Sequence, residues 1–220
     1  MTRLKKTMIC PFGGVGLGGK WKIGTWYHLL NGPRRFSELQ RLLPQASRQM
    51  LTIQLRELEQ MGIIRRKVYV QGPPKVEYAL TELGRRIEPM LRQVYVWGEW
   101  FGEQTGLEFD LPLSMGGRWS FWIWYHLLNG PRRLSELQRL LPGASRQTLI
   151  IQLRSLEETG VLQRHVYFQG SLRVEYALTE PGQRSETMLR QMYAWGRWYC
   201  EQMGIEYDWP VSDIAVERIS

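Results

Sequence analysis

The chain repeats itself at a displacement of 98 positions. Gly19-Lys20-Trp21 returns as Gly117-Arg118-Trp119, and the run from Val76 to Glu82 returns unchanged from Val174 to Glu180. From Gly19/Gly117 to Asp110/Asp208 about 60 of 92 aligned positions are identical, with no insertion or deletion. Solenoid repeats recur every 20 to 50 residues or so, because one repeat cannot bury a core alone. A period about twice that long makes each copy a domain able to hold a small core. The sequence therefore divides into a first domain over 1–106 with a basic N-terminal segment, a linker over 107–116, a second domain over 117–210 and a tail over 211–220.

Composition narrows the class. Apolar residues make up 43% and aromatic residues 12%, ample for globular folding. The two cysteines, Cys10 and Cys200, fall at non-equivalent positions of the two copies, so no repeated disulfide framework exists. A reduced, cytoplasmic chain is the expectation. The apolar cluster from Phe121 to Leu128 is far shorter than the roughly 20 residues a membrane-spanning helix needs. Glycines at 13, 14, 16, 18 and 19 break the stretch an export signal would require, so no membrane partner is expected. A net charge of +8 suits a polyanionic partner. Residues 1–106 hold 17 Lys and Arg against 8 Asp and Glu, whereas residues 107–220 hold 12 against 13.

Within one copy the order of elements is legible. Trp21, Thr25, Trp26, Leu29 and Leu30 share one helical face, and Asn31-Gly32-Pro33 stops that helix. A second helix is predicted from Ser37, whose hydroxyl would cap it while Gln40 reaches back, and Pro44 ends it. Ser47 caps a third helix from Arg48 to Met61. Its Leu51, Leu55 and Leu58 form the buried stripe before Gly62. Strands over 63–70 and 76–80 flank a stiff, basic tip that includes Pro73, Pro74 and Lys75. Thr81 then caps a long helix toward Gly106, with a break near Gly98. Helix, helix, helix, hairpin, helix is a winged helix: a mainly α fold with small β-hairpin wings (α+β), present here as two tandem helix-turn-helix domains.

These residues also carry a resemblance. Gly18 to Trp21, Gly32 to Leu39, Leu55-Arg56-Glu57-Leu58-Glu59, the tip from Tyr69 to Pro74, Val76-Glu77-Tyr78 and Leu80 to Gly84 together resemble the HxlR-type winged helix-turn-helix regulators of bacteria and archaea. The resemblance covers almost all of both copies. It implies a transcriptional regulator that binds a double-stranded DNA operator, usually as a homodimer of single domains. This chain looks like such a dimer fused head to tail, an intramolecular pseudo-dimer open to further homodimerisation.

The resemblance makes the third helix of each copy the recognition helix. Arg48, Gln49, Thr52, Ile53 and Arg56 lie opposite the leucine stripe, with Ser47 at its start. In the second copy the same face reads Ser145, Arg146, Gln147, Ile150, Ile151 and Arg154. Arginine reads guanine, glutamine reads adenine, and a methyl group meets the thymine methyl. Ile150 and Ile151 offer no hydrogen bonds, which leaves a protein-contact role open for that copy. Arg34 and Arg35, with Arg132 and Arg133, precede the next helix and suit a phosphate. Lys75 and Arg173 at the wings suit the DNA backbone or minor groove. Differences at 50/148, 52/150 and 57/155 would let an asymmetric, imperfect inverted repeat be read.

The remaining features carry less. Cys10 resembles an N-terminal redox-sensing cysteine of the family, but the glycine-rich stretch after it favours a plain thiol. The aromatic residues 97–101, 119–124 and 195–199 suit core and domain-interface packing, with a pocket for a small apolar or aromatic effector as the alternative. His28 and His126 read as core-edge residues. No metal spacing, phosphate loop or nucleophile motif marks an enzyme, and no cofactor is expected. If the two copies pair, residues 1–106 expressed alone dimerise or aggregate; a stable monomer by light scattering, with exposed Trp97 and Trp100, would reject the pairing.

Overall fold

The computed structural model describes residues 20–70, 75–106, 119–168, 170 and 172–205. Residues 16–114 form one compact unit and residues 115–220 the body of the other. The first contains α1 (Lys20–Leu30), β1 (Arg34–Arg35), α2 (Phe36–Leu42), α3 (Arg48–Gln60), β2 (Ile64–Tyr69), β3 (Lys75–Leu80), α4 (Glu82–Arg85) and α5 (Glu88–Thr105). The second contains α6 (Ser120–Leu127), α7 (Leu134–Leu140), α8 (Arg146–Glu158), β4 (Leu162–Phe168), β5 (Leu172–Leu178), α9 (Glu180–Arg184) and α10 (Glu186–Gln202). Each unit is a winged helix-turn-helix.

The third helix forms as its sequence dictates. Ser47 Oγ accepts from Met50 N at 3.1 Å, satisfying one of the free N–H groups of the first turn. Leu51, Leu55 and Leu58 are all but fully buried. Each such leucine contributes on the order of 1.5–3 kcal/mol. Gly62, at a φ of 71°, turns the chain out of the helix and into the wing. Ser145, Leu149, Leu153, Leu156 and Gly160 repeat the arrangement in α8.

The second helix begins earlier than Ser37. Arg35 is its N-cap, and the Glu38 carboxylate, not Gln40, reaches back to accept from Arg35 N at 2.6 Å. The reason is a strand absent from the sequence reading. Arg34 and Arg35 pair with Tyr78 and Glu77, so the chain is already extended when the helix starts. The first wing is thus a three-stranded antiparallel sheet in the order β1-β3-β2. In the second unit the counterpart is a single bridge, Arg132 to Tyr176, beside the β4–β5 pair. Gln40 instead donates from Nε2 to Ala46 O at 2.6 Å, closing the turn between α2 and α3.

The C-terminal helix breaks between α4 and α5, not at Gly98, which lies buried within a continuous α5. The break is held by a tryptophan. Trp26 Nε1, fully buried in α1, donates to Gly84 O at 2.7 Å, so a helix carbonyl is captured by an indole 58 residues away. Trp124 Nε1 makes the same bond to Gly182 O at 3.1 Å. Pro89, near the start of α5, has no N–H to carry the first helix onward, but Thr187 occupies that place in the second copy and the break persists. Thr81 ties the same corner from the other side: its Oγ1 donates to Gly62 O at 2.6 Å and accepts from Gly84 N at 3.0 Å.

Between α1 and α3 the two copies use different chemistry. Lys22 is 3% exposed, and its ammonium lies 2.6 Å from the Glu57 carboxylate. In the second unit the buried Ser120 Oγ donates to Gln152 Oε1 at 2.5 Å. The difference at positions 57 and 155 therefore belongs to the inner attachment of the recognition helix, where a buried charge demands a partner. α6 is buried at all eight of its positions, as its all-round apolar sequence requires.

A Cβ added at Gly84 would lie 2.2 Å from Ile63 O, and one at Gly182 2.2 Å from Val161 O. Gly84→Ala and Gly182→Ala are each expected to destabilise their unit by about 1–3 kcal/mol or more in denaturant unfolding. Trp26→Phe, which strands the Gly84 carbonyl, should cost about 1–3 kcal/mol.

Candidate nucleic-acid interface

In each unit the first turn of the recognition helix, the start of the preceding helix and the wing enclose a concave basic surface. In the first unit Arg35, Phe36, Ser37, Gln40, Arg41, Arg48 and Val76 line a groove of about 470 Å³. In the second, the counterparts Arg133, Leu134, Ser135, Gln138, Arg146 and Val174 recur, joined by Arg164, Leu172, Arg173 and Tyr176, around about 490 Å³. The repetition follows from the fold. A five-residue connection, 43–47 or 141–145, fixes the recognition helix beside the N-terminus of α2 or α7, and the wing, pinned at its base, closes the third side.

The sequence-based candidates divide within this frame. Arg48 and Arg146 are exposed and line the groove, whereas Gln49 and Gln147, next along the helix, are exposed but do not line it. The Arg48 guanidinium sits 5.1 Å from the Phe36 ring centroid, a cation–π contact that aims it. Leu134 replaces that ring in the second copy. Ser47 and Ser145 have exposed hydroxyls that already accept a helix N–H. Thr52 is half-buried, and its hydroxyl donates to Arg48 O at 2.8 Å, which leaves the methyl and the oxygen's acceptor lone pairs for other contacts. Ile150 is half-buried too. Ile53 and Ile151 are the exposed pair, 39% and 54%, so an outward isoleucine is common to both copies. Arg56 and Arg154 are exposed two turns further along, outside the grooves.

Of the tandem arginines, only the second of each pair joins the groove. Arg35 and Arg133 line it, whereas Arg34 is half-buried on the opposite sheet face, where it pairs with Tyr78. Burial, reinforced by the Arg34 charge, holds His28 below the usual imidazole range and so neutral at pH 7. Arg132 lies with Glu136, Arg139 and Leu140 in a separate depression.

One carboxylate per wing organises the cations. Lys75 Nζ lies 2.5 Å from Glu77, and the hydrogen bond from Lys75, with help from Tyr69 and the Arg35 charge, holds the Glu77 carboxyl below the usual range. Lys67 and Lys75 also sit 4.8 and 5.1 Å from the Tyr69 ring centroid. In the second wing Arg173 is bound to Glu175, and Arg133 approaches the same carboxylate at 3.5 Å. Arg173 is the larger cause of the lowered Glu175 pKa, Arg133 the smaller. Both carboxylates stay ionised at neutral pH. Phosphate contacts through Arg35, Lys75, Arg133 or Arg173 must therefore compete with, or share, these pairs. Glu77, Glu175, Phe36, Arg41 and Arg164 were missed from sequence, because none lies on a periodic face; only strand register reveals that Glu77 stands opposite Arg35 and Lys67.

Cys10, Pro73 and Pro74 lie outside the described residues. Cys200 is buried, and burial pushes its thiol up to about 11, so it is protonated and unreactive at neutral pH. Among the described residues no group of histidine, cysteine and carboxylate side chains is arranged to hold a metal. No helix among them is long and apolar enough to cross a membrane.

YybR and YdeP of Bacillus subtilis, both named uncharacterised HTH-type transcriptional regulators, are each 54% identical over 83 residues. The match takes in 38% of this chain and 66% and 65% of theirs, slightly under two thirds of their length. YkvN of the same organism, similarly named, is 50% identical over 97 residues, 44% of this chain and 82% of its own. Among solved structures, the redox regulator HypR in its oxidised form is 54% identical, covering 37% of this chain and 84% of that one, with a TM-score of 0.36. The reduced form is 50% identical over 40% and 88%, with a TM-score of 0.38. A family model described as HxlR-like helix-turn-helix matches residues 16–106 and again residues 114–204. Two matches that together take up most of the chain settle its kinship: the protein belongs to the HxlR-like helix-turn-helix family of transcriptional regulators, with the family domain present twice in one polypeptide.

Proposed function

We propose that the protein is a cytoplasmic DNA-binding repressor whose two domains, bounded as 1–106 and 117–210, act as the halves of a pseudo-dimer on an imperfect inverted repeat. The observation that carries the reading is the duplicated groove, in which Arg35 and Arg48, or Arg133 and Arg146, flank the N-terminus of a helix of the right length to enter a major groove. Half-sites about 34 Å apart, one helical turn, match two such helices. Exposed Arg48, Gln49, Arg146 and Gln147 supply direct base reading, and the wing and α2 or α7 cations position the backbone.

The two copies contribute unequally. The first holds Arg48 against Phe36 and carries the more basic wing, whereas the second lacks that ring. Relatives such as HypR are named redox regulators. For this chain the buried Cys200 thiol gives no support to redox control. Cys10→Ser is accordingly expected to leave the response of DNA binding to mild peroxide unchanged.

The experiment is a binding series on a duplex that the full chain selects from a random-sequence pool. Arg48→Ala and Gln49→Ala should each weaken binding by about 1–3 kcal/mol and relax one base position, more than Arg146→Ala or Gln147→Ala. Arg35→Ala should weaken all sequences alike and reduce the salt slope by about one. Glu77→Gln, which removes the carboxylate competing for Lys75 and Arg35, should strengthen non-specific binding and steepen that slope. Equal losses from both copies would indicate a symmetric reader. No loss from any of the four recognition-helix changes would favour a protein-interaction module, for which the exposed Ile151 is the motive.

A further inference from the structure

The second wing differs from the first in chemistry. β4 and β5 pair over seven positions, ending at Phe168 opposite Leu172. Directly opposed residues share a sheet face, so Leu162/Leu178, Arg164/Tyr176, Val166/Val174 and Phe168/Leu172 lie on one side. That side begins in the core, where Leu162 and Leu178 are buried, and runs outward to a tip where Phe168 is 80% and Leu172 69% exposed. Leu172, Val174, Tyr176 and Arg164 of this side, with Arg173 of the other, line the groove together with Arg133 and Arg146.

An apolar pair at the end of a hairpin is an unfavourable thing to leave in water unless something covers it. Its surroundings select the occupant. Arg133, Arg146, Arg164 and Arg173 surround the same groove with Glu175 as the one carboxylate lining the wing, a charge pattern that attracts a polyanion. The wing has also lost cations relative to the first: Gln163 and His165 stand where Arg65 and Lys67 do. Phe168 and Leu172 stand where the first copy has Val70 and Pro74, so the second tip is the bulkier apolar one while its wing carries fewer cations. Proteins that enter the minor groove insert such side chains between base steps, unstacking them and kinking the duplex.

We propose that Phe168 and Leu172 form a wedge that enters the DNA minor groove beside the second half-site and unstacks a base step there. The proposal rests on the DNA-binding reading above. The wedge makes the second copy a reader of duplex deformability, favouring a flexible pyrimidine–purine step at a position no side chain hydrogen-bonds. The first wing, with Lys67 and Lys75 gathered over Tyr69, instead contacts the backbone by charge. The two arms of an operator would then differ in kind, one read by bases and phosphates and the other partly by how easily it bends.

The test uses the full chain on the duplex it selects from a random-sequence pool. Phe168→Ala with Leu172→Ala should weaken specific binding about tenfold, reduce the bend seen by circularly permuted fragments, and abolish the fluorescence rise of 2-aminopurine placed at the step. Its salt slope should match the wild type, whereas Arg173→Ala should lower the slope and keep the bend. Because both side chains are exposed, the variant's unfolding midpoint should be unchanged, and Phe168→Trp should restore the bend. A wild type that binds but leaves the duplex straight, or a double variant with wild-type affinity and bend, would overturn the wedge alone. Loss of self-association with DNA affinity intact would assign the tip to contacts between copies of the chain and overturn it equally. Failure of the wild type to enrich any duplex would overturn the DNA-binding reading beneath it.

Discussion

The buried indole of α1 is the joint on which each domain turns. Trp26 and Trp124 each hand their one polar atom to a glycine carbonyl 58 residues downstream. A buried indole N–H without an acceptor is costly, and so is a buried helix carbonyl without a donor, so the two needs cancel. Around that bond the rest is arranged. The glycine must lack a side chain because the wing-base carbonyl of Ile63 or Val161 lies against it. The C-terminal helix breaks just beyond that glycine, between α4 and α5 in one unit and between α9 and α10 in the other. Thr81 and Thr179 then bind the end of the recognition helix to the start of the short helix. The recognition helix and the wing are thereby fixed against a common corner, which is what a groove of set width between them requires.

The electrostatics of the groove show a second design. A purely cationic concavity would repel itself, and in each domain a single strand carboxylate, Glu77 or Glu175, draws the nearby cations together. These are exposed or partly exposed pairs and contribute little to stability. Their effect is on where the charges stand. Cations gathered about one carboxylate lose less freedom when a phosphate arrives, while the carboxylate discourages indiscriminate attachment to any polyanion.

Much of this was legible in the sequence because it is local or periodic. The Ser47 cap, the Leu51, Leu55 and Leu58 stripe, and the turn at Gly62 are short-range effects, and the structure keeps them nearly residue for residue. The duplication was legible outright, and the family match falls twice along the chain accordingly. What escaped depends on distant partners. The two-residue strand at Arg34 exists only because β3 lies alongside, and it moves the start of α2 to Phe36. Gly98 looked like a break, but the real one is set by an indole elsewhere in the chain. Arg34 and Arg35 look equivalent in sequence, yet strand alternation sends them to opposite faces. Glu57 looked like part of the reading surface until its partner Lys22 was in view.

That last pair constrains how the two copies can have drifted apart. In one the α1–α3 contact is an ion pair with a buried ammonium, in the other a neutral serine–glutamine bond. The ion pair can be dismantled in two orders. Changing Glu57 first leaves Lys22, at 3% exposure, charged and without its carboxylate, a state that typically costs about 3–5 kcal/mol. Changing Lys22 first leaves only a carboxylate that is 42% exposed and can turn to water. Mutational traffic between the two solutions, in either direction, is therefore channelled through the serine–glutamate intermediate. The ancestry of the duplicated domains is a one-lane path, and a hybrid domain that combines α1 of the first copy with α8 of the second would stand on its forbidden side.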